Sequence, residues 1–458
     1  MTTYSAVITT GIYCRPGCRA RPKAENVRTF ELAAAAEAAG FRACLRCRPY
    51  RIVGSPPWDA PELVCRAVQM IIAGALDEGT EDDLSARLGL SSRHLRRLFH
   101  EHLGLTPDQL ARSRRAHFAR RLLDDTDLTI ADIAFASGFG SLRQFNRTMH
   151  ETFRSSPQKL RQRRQHSDRL VADGGLALRI PISGPYDWDA MLGFLMASAI
   201  PGVEIVQSGT YRRVITLDGA PGLLEVSQRD SQYLLLQAHL PYWEGLIHVV
   251  ERLRHLLGLD VDATQISQLV SDQIIGPIIA TRPGLRFPGT WGPFETGVQV
   301  IVGQTCRSSE ASTYLGGIAR TFGVAVAGLG HGLTHAFPGP ETLAQSDMSS
   351  AGLPSEIAEV IQSFARAVSA GHIRLDGSVK LDDLVESMTS IPGIDACTAS
   401  HVAMRLGERD AFPHTDQQII RSLRSLAEPI QDPMIIAERW QPWRAVAATY
   451  LLSSQITS

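Results

Sequence analysis

Lysine is nearly absent from this 458-residue chain: of 46 basic residues only Lys23, Lys159 and Lys380 are lysines. Schiff-base chemistry therefore has few candidate nucleophiles, and none after residue 380. No uninterrupted apolar stretch approaches the roughly 18 residues that span a bilayer, and the opening Met-Thr-Thr-Tyr-Ser has neither block of a secretion signal. The expectations are no membrane partner and a cytoplasmic location. Cysteine is scarce too, and unevenly placed: four of the seven fall within the first 47 residues. In a reducing compartment such a cluster points to metal rather than disulfides.

What is present is globular, with 44% hydrophobic and 20% charged residues in a length sufficient for about three domains. The net charge of −1 conceals a polarity. Residues 1–170 hold 27 Lys and Arg against 18 Asp and Glu, leaving 19 against 29 for the remainder. A basic front half is the electrostatic footprint of a nucleic-acid partner.

Cys14 and Cys18, then Cys44 and Cys47, form a C-x3-C and a C-x2-C knuckle. Two such knuckles fold onto one tetrahedral Zn²⁺, whose soft thiolate ligands suit it. A segment of about 50 residues buries too little apolar surface to hold itself, so a metal staple is expected. Arg15, Arg19, Arg21, Arg42, Arg46 and Arg48 surround the knuckles and read as phosphate contacts. The stretches Thr9–Pro16 and Gly40–Pro49 resemble the Ada-type zinc domain. That resemblance implies that Cys14 is both a ligand and the acceptor of a methyl group from a DNA methylphosphotriester. Methylation would turn an anionic ligand into a neutral thioether and remove a charge that repels DNA.

Ser55-Pro56-Pro57 reads as a linker, and Pro61 opens a helix through Leu76. Gly89, Ser91, Leu95, Leu98 and Phe99 then mark a turn, an N-cap and a core stripe, with Arg93, His94, Arg96 and Arg97 on the opposite face. A second copy runs from Ile130 through Gly138 to Arg143, Gln144, Phe145, Asn146 and Arg147. A long helix over 107–125 separates the copies. Two such helices reach major-groove faces about one turn, roughly 34 Å, apart. The segment resembles the AraC-type double helix-turn-helix. The glycine usual before Pro157 is replaced at Ser155 or Ser156.

Strand-like runs follow at Leu176–Ile180, Arg213–Leu217 and Leu234–Gln237, and the pattern becomes helical from Val250. Ile391-Pro392-Gly393-Ile394 separates helices expected over 381–390 and 396–406; such a hairpin turns backbone N–H groups toward a phosphate at Gly393. Pro185–Trp188, Arg282–Arg286, Gly303-Gln304, Asp410–Asp416 and Trp440–Arg444 resemble the AlkA-type 3-methyladenine DNA glycosylase II. This implies a TATA-binding-protein-like α/β subdomain, a helix-hairpin-helix core, Asp416 as the catalytic carboxylate, and Phe194, His401 and Gln304 in the base pocket. Departures stand at Asp395, where the hairpin has a second glycine, at Thr305 in the wedge position, and at Cys397, His401, Gln417 and Leu452, where aromatics are usual.

The expected whole is a multidomain α+β chain: 1–53 zinc-binding methyl acceptor, 57–166 all-α double helix-turn-helix, 174–256 TBP-like α/β subdomain and 257–458 all-α helix-hairpin-helix glycosylase. The expected function is a methylphosphotriester-sensing transcriptional regulator joined to a monofunctional DNA-3-methyladenine glycosylase. Zn²⁺ is its cofactor and double-stranded DNA its partner, with RNA polymerase as a further partner. It is expected to be a monomer associated with the bacterial nucleoid. The alternative is a regulator whose glycosylase half only binds DNA. The Pro-Cys-His-Arg of a methylguanine methyltransferase does not occur.

Overall fold

A turn closed by Gly11, whose φ of +64° an L side chain rarely adopts, folds Tyr4–Val7 back on Ile12–Cys14. The computed structural model describes residues 3–51, 60–77, 79–165, 168–170, 175–261, 263–426 and 432–453; the Ser55-Pro56-Pro57 linker lies outside them. Two units emerge, Met1–Ser183 with Gln232–Glu251, and Gly184–Ser231 with Arg252–Ser458. Among the described residues no helix is long and apolar enough to cross a membrane.

In the first unit, Val27–Phe30 pairs antiparallel with Tyr4–Val7, and Arg42–Ala43 adds parallel to Ile12–Cys14 with Tyr13 opposite Ala43. That register brings Cys14 and Cys44 out at the same end of the sheet. Strand alternation turns Tyr4, Ala6 and Tyr13 inward, and the two tyrosine rings meet edge to face at 5.9 Å. Ala34 and Ala35 of the Ala33–Ala38 helix share an apolar cluster with Val64, Ile71, Leu84, Leu95 and Phe99. The front segment is thus anchored by burial on its helical neighbours as well as by its cysteines, a support that the isolated reading of 50 residues missed.

The helical region repeats one local code. Thr80, Thr106 and Thr129 each close a capping box, and Ser91, Ser141 and Ser156 each accept from the third backbone N–H of the helix that follows. Gly89 (φ +69°) and Gly138 (φ +78°) make the turns into Ser92–Leu103 and Leu142–Phe153. The Pro107–Asp125 helix spans the expected 107–125. The opening helix, Glu62–Ile72, is shorter than expected because Gly74, at φ +105°, cannot continue it. The missing glycine before Pro157 is replaced one position earlier than expected: Arg154, at φ +51°, takes the left-handed place that Gly104 holds in the first copy. Leu176–Pro181 also belongs to this unit, paired antiparallel with Tyr233–His239.

The second unit begins with Trp188–Ser198, capped by Asp187, and the antiparallel meander Glu204–Gln207, Thr210–Leu217, Ala220–Asp230. Helices dominate beyond it. Their interior contains an ionic cluster in which Arg213 contacts both Glu204 and Glu295, and Tyr211 donates to Glu204. Arg405 lies in the same interior, where burial lowers its pKa to about 10, and donates to Gly289 O at 2.9 Å. The hairpin consists of Leu381–Thr389 and Ala396–Arg405, within one residue of the sequence expectation. Gly393 stands at φ +94°, and a Cβ there would lie 2.4 Å from Val360 Cγ2. Backbone conformation and close approach both demand glycine at the bend.

Candidate functional site

The sulfurs of Cys14, Cys18, Cys44 and Cys47 all lie within 4.8 Å of one another. Thiolates on a tetrahedral zinc are separated by about 3.8 Å, given Zn–S bonds of about 2.3 Å, so small side-chain adjustments suffice. The thiols compete for charge. A hydrogen bond with Cys14 lowers Cys47 to about 5, while the same contact, together with burial, drives Cys14 far above the ordinary thiol range. Four thiolates this close need a cation among them, and the donor set fits Zn²⁺, the cofactor of this domain. Cys14 is the most buried of the four, at 6% exposure. Arg15, Arg19, Arg21 and Arg46 are exposed around the cluster. Two expected phosphate contacts are otherwise engaged: Arg42 donates to Ala43 O at 3.3 Å, and Arg48 binds Asp168 at 2.6 Å. Sequence order could not reveal that a carboxylate 120 residues away takes Arg48.

On Ser92–Leu103 the residues Leu95, Phe99 and Leu103 are buried, and Arg93, His94, Arg96 and Arg97 are exposed. Arg96 carries a forked ion pair to Glu81, with Nη2–Oε2 at 2.7 Å. On Leu142–Phe153, Phe145 and Met149 face the core. Arg143, Asn146 and Arg147 are exposed and Gln144 is half-buried. Asn146 Nδ2 donates to Leu142 O at 2.9 Å. Each helix thus has one stripe in the core and one exposed polar stripe, the arrangement a major-groove reader needs.

The second unit has a groove of about 750 Å³ lined by residues that include Gln304, Thr305, Gly393, Asp395, Cys397, Asp416 and Arg421. Asp416 caps the Gln417–Leu426 helix: its Oδ1 accepts from Gln418 N at 2.7 Å and Ile419 N at 3.2 Å. Its Oδ2 lies 2.9 Å from His401 Nε2. Burial opposes the charge, but the hydrogen bond and charge of His401 and the two backbone N–H groups outweigh it, holding the carboxyl below the usual range. Oδ2 retains acceptor capacity toward the groove.

His401 is buried behind Asp416 and acts on it rather than lining the opening. Gln304 lines the groove, whereas the Phe194 ring packs on Phe287 at 5.7 Å outside that lining. Among the described residues no aromatic ring lines the groove, and Leu452 is likewise outside its lining. The expectation that the hairpin offers free N–H groups is also modified. Asp395 caps its own helix, accepting from Thr398 N at 2.8 Å, and so occupies a donor a phosphate would use. Arg421 was missed: it is exposed one turn beyond Gln417, on the groove side, and only helical periodicity from the Asp416 cap would have singled it out.

The parts therefore combine the build of a metal-binding helix-turn-helix regulator with that of a hairpin glycosylase. Residues 2–50 match the metal binding domain of Ada, 84–163 a helix-turn-helix domain and 177–292 the AlkA N-terminal domain. Over 454 residues, 97% of this chain and 91% of the relative, the sequence is 35% identical to the probable bifunctional transcriptional activator/DNA repair enzyme AlkA of Mycobacterium tuberculosis. The chain belongs to that family. It is also 29% identical over 271 residues, 58% of this chain and 93% of the relative, to DNA-3-methyladenine glycosylase 2 of Escherichia coli. A solved 3-methyladenine DNA-glycosylase from Archaeoglobus fulgidus superposes with a TM-score of 0.51 at 22% identity, covering 60% of this chain and 97% of that one, a likeness of fold.

Proposed function

We propose that this protein answers DNA alkylation in two ways, sensing methylphosphotriesters at Cys14 to regulate transcription and excising alkylated bases at Asp416. The observation that carries the second activity is the ionised Asp416 carboxylate, fixed by its helix cap and His401 at the wall of a groove next to the Gly393 bend. N-alkylation makes a purine cationic and a good leaving group. In a flipped-out nucleotide the C1′–N bond breaks, its electron pair leaves with the now neutral base, and the sugar becomes an oxocarbenium ion. The Asp416 carboxylate stabilises that charge across the groove. Water adds to C1′ and loses a proton to solvent, leaving an abasic site. Without a lysine after Lys380, hydrolysis is the expected route.

At the other end, the Cys14 thiolate attacks the methyl carbon of a phosphotriester; an S–C bond forms, the C–O bond breaks, and a phosphodiester anion leaves. Bound zinc keeps the four sulfurs deprotonated. Exposed Arg15, Arg19, Arg21 and Arg46 hold the backbone, and the two helix-turn-helix faces read an operator, with RNA polymerase as the second partner of the regulator. The chain acts as a monomer in the bacterial cytoplasm, associated with the nucleoid, through the four segments set out from its sequence.

A second reading, in which the glycosylase half binds DNA without turnover, is favoured by the lack of an aromatic ring in the groove lining among the described residues. One assay separates the two: methylated duplex DNA, with released 3-methyladenine measured for wild type and Asp416→Asn. Asparagine caps helices nearly as well as aspartate, so the fold survives and only the charge is lost. Release by wild type and its loss in Asp416→Asn supports catalysis; no release from wild type favours the second reading. A mass increase of one methyl group on the peptide containing Cys14, absent from Cys14→Ser, tests the sensor.

A further inference from the structure

Three different metal-binding donors converge at one point, two of them on the groove wall and the third buried just behind it. Cys397 and His401 are four residues apart on the Ala396–Arg405 helix, which places both on one face, one turn from each other. Asp416 approaches that face from the cap of the next helix. The Cys397 sulfur, a His401 ring nitrogen and an Asp416 carboxylate oxygen all lie within 4.8 Å of one another. We propose that Cys397, His401 and Asp416 form a second zinc site, open to the groove, and that a metal bound there silences the carboxylate the glycosylase needs.

The donor set is one thiolate, one imidazole and one carboxylate, a three-ligand combination that suits Zn²⁺ with a fourth position free for solvent. With Zn–N and Zn–O bonds of about 2.1 Å, a tetrahedral ion separates those two donors by about 3.4 Å. The observed 2.9 Å between His401 Nε2 and Asp416 Oδ2 therefore has to open by only a few tenths of an ångström. Oδ2 is the oxygen available for this, because Oδ1 is held by Gln418 N and Ile419 N, and that grip aims the carboxylate at the ion. Cys397 and Asp416 both line the groove, so an ion has a path to the site. On binding, the Cys397 thiol releases its proton to solvent, and His401 carries its proton on Nδ1 to present Nε2 as a lone pair. Two anionic ligands then neutralise the dication, and the carboxylate's charge no longer acts on an oxocarbenium ion or a cationic base.

The silencing rests on the glycosylase reading; the site itself does not. The test uses the full-length protein equilibrated with Zn²⁺ against a weak chelator, with metal content read by mass spectrometry of the elements. Two zincs per wild-type chain, and one in both Cys397→Ser and His401→Gln, are expected, because the four-cysteine site is untouched by either change. One zinc per wild-type chain, or two in the variants, overturns the proposal. Base release from methylated DNA is measured in parallel, with and without zinc. The ratio is expected to fall at least tenfold for wild type and less than twofold for Cys397→Ser; equal ratios overturn the silencing. Should wild type release no base in either condition, the glycosylase reading fails and the metal count still decides the site.

Discussion

His117 Nε2 lies 2.7 Å from Glu37 Oε1, joining the long Pro107–Asp125 helix to the front segment. The same carboxylate oxygen accepts from the Tyr13 hydroxyl at 2.5 Å, and Tyr13 is the residue before Cys14. A polar relay thus runs from the zinc cluster to the helix that separates the two DNA-reading copies. Glu37→Ala removes the acceptor that Tyr13 and half-buried His117 share, leaving them only each other at 3.2 Å, and a lost buried partner costs about 1–3 kcal/mol. The expected loss is about 1–3 kcal/mol of unfolding free energy with zinc still bound, measured by urea denaturation alongside metal content. Glu37→Gln, which keeps an acceptor, is expected to lose less than half as much.

Arg48 makes the second fastening, and it carries a pH signature. Burial raises the Asp168 pKa, but the Arg48 hydrogen bond, the Gln165 N–H and the charges of Arg51 and Arg48 outweigh it, and the net shift is downward. A depressed carboxylate contributes stability that is fully present above its unfolded pKa of about 4 and is lost as pH falls through its folded value. Arg48→Ala is expected to cost about 2–3 kcal/mol near neutral pH, a figure reduced from that of a fully buried pair because Arg48 is part-exposed. Denaturation curves from pH 6 to pH 2 should converge for wild type and Arg48→Ala as Asp168 is protonated. A gap that stays constant to pH 2 would contradict the assignment.

How far the sequence carried the reading follows from the range of each signal. The helix-turn-helix copies were legible because caps, turn glycines and core stripes act within four residues, and Ser91, Gly89 and Leu95 state them directly. The cysteine spacing announced the metal, and the hairpin helices fell within one residue of expectation. What escaped depends on partners distant in sequence. Arg48 reads as a surface cation until Asp168 is beside it, and nothing local in the sequence pairs the Phe194 ring with Phe287. The identity of Asp416 as a helix cap was within reach, since Asp before Gln417 is a start signal, but its contact with His401 was not.

The Gly393 bend offers a separable test of backbone and contact. Gly393→Ala places a methyl group 2.4 Å from Val360 Cγ2 and an L side chain at φ +94°. Left-handed strain alone is worth about 1–2 kcal/mol, and overpacking adds about 1–3. A loss of about 2–4 kcal/mol is expected, with weaker binding to non-specific duplex. In Gly393→Ala/Val360→Ala the steric part should return and the conformational part remain, recovering roughly half of the stability. Full recovery would show that the bend tolerates a side chain, and that only the Val360 contact requires glycine.

Arg154 tests the opposite change, in which a local rule is broken on the exposed side of the molecule. It ends the Leu142–Phe153 helix at φ +51° and ψ +36°, where its counterpart Gly104 has φ +67° and ψ +23°. The same C-terminal geometry is thus built once with glycine and once with arginine, and the arginine version carries Cβ strain that glycine lacks. Arg154→Gly is expected to stabilise the first unit by about 0.5–1 kcal/mol, the relief of strain being offset in part by the greater freedom of glycine in the unfolded chain. Thermal unfolding of the two proteins measures it. If Arg154→Gly also lowers operator affinity and flattens its salt dependence by about one charge, the arginine holds a DNA phosphate, and the strain persists because the cation is needed there.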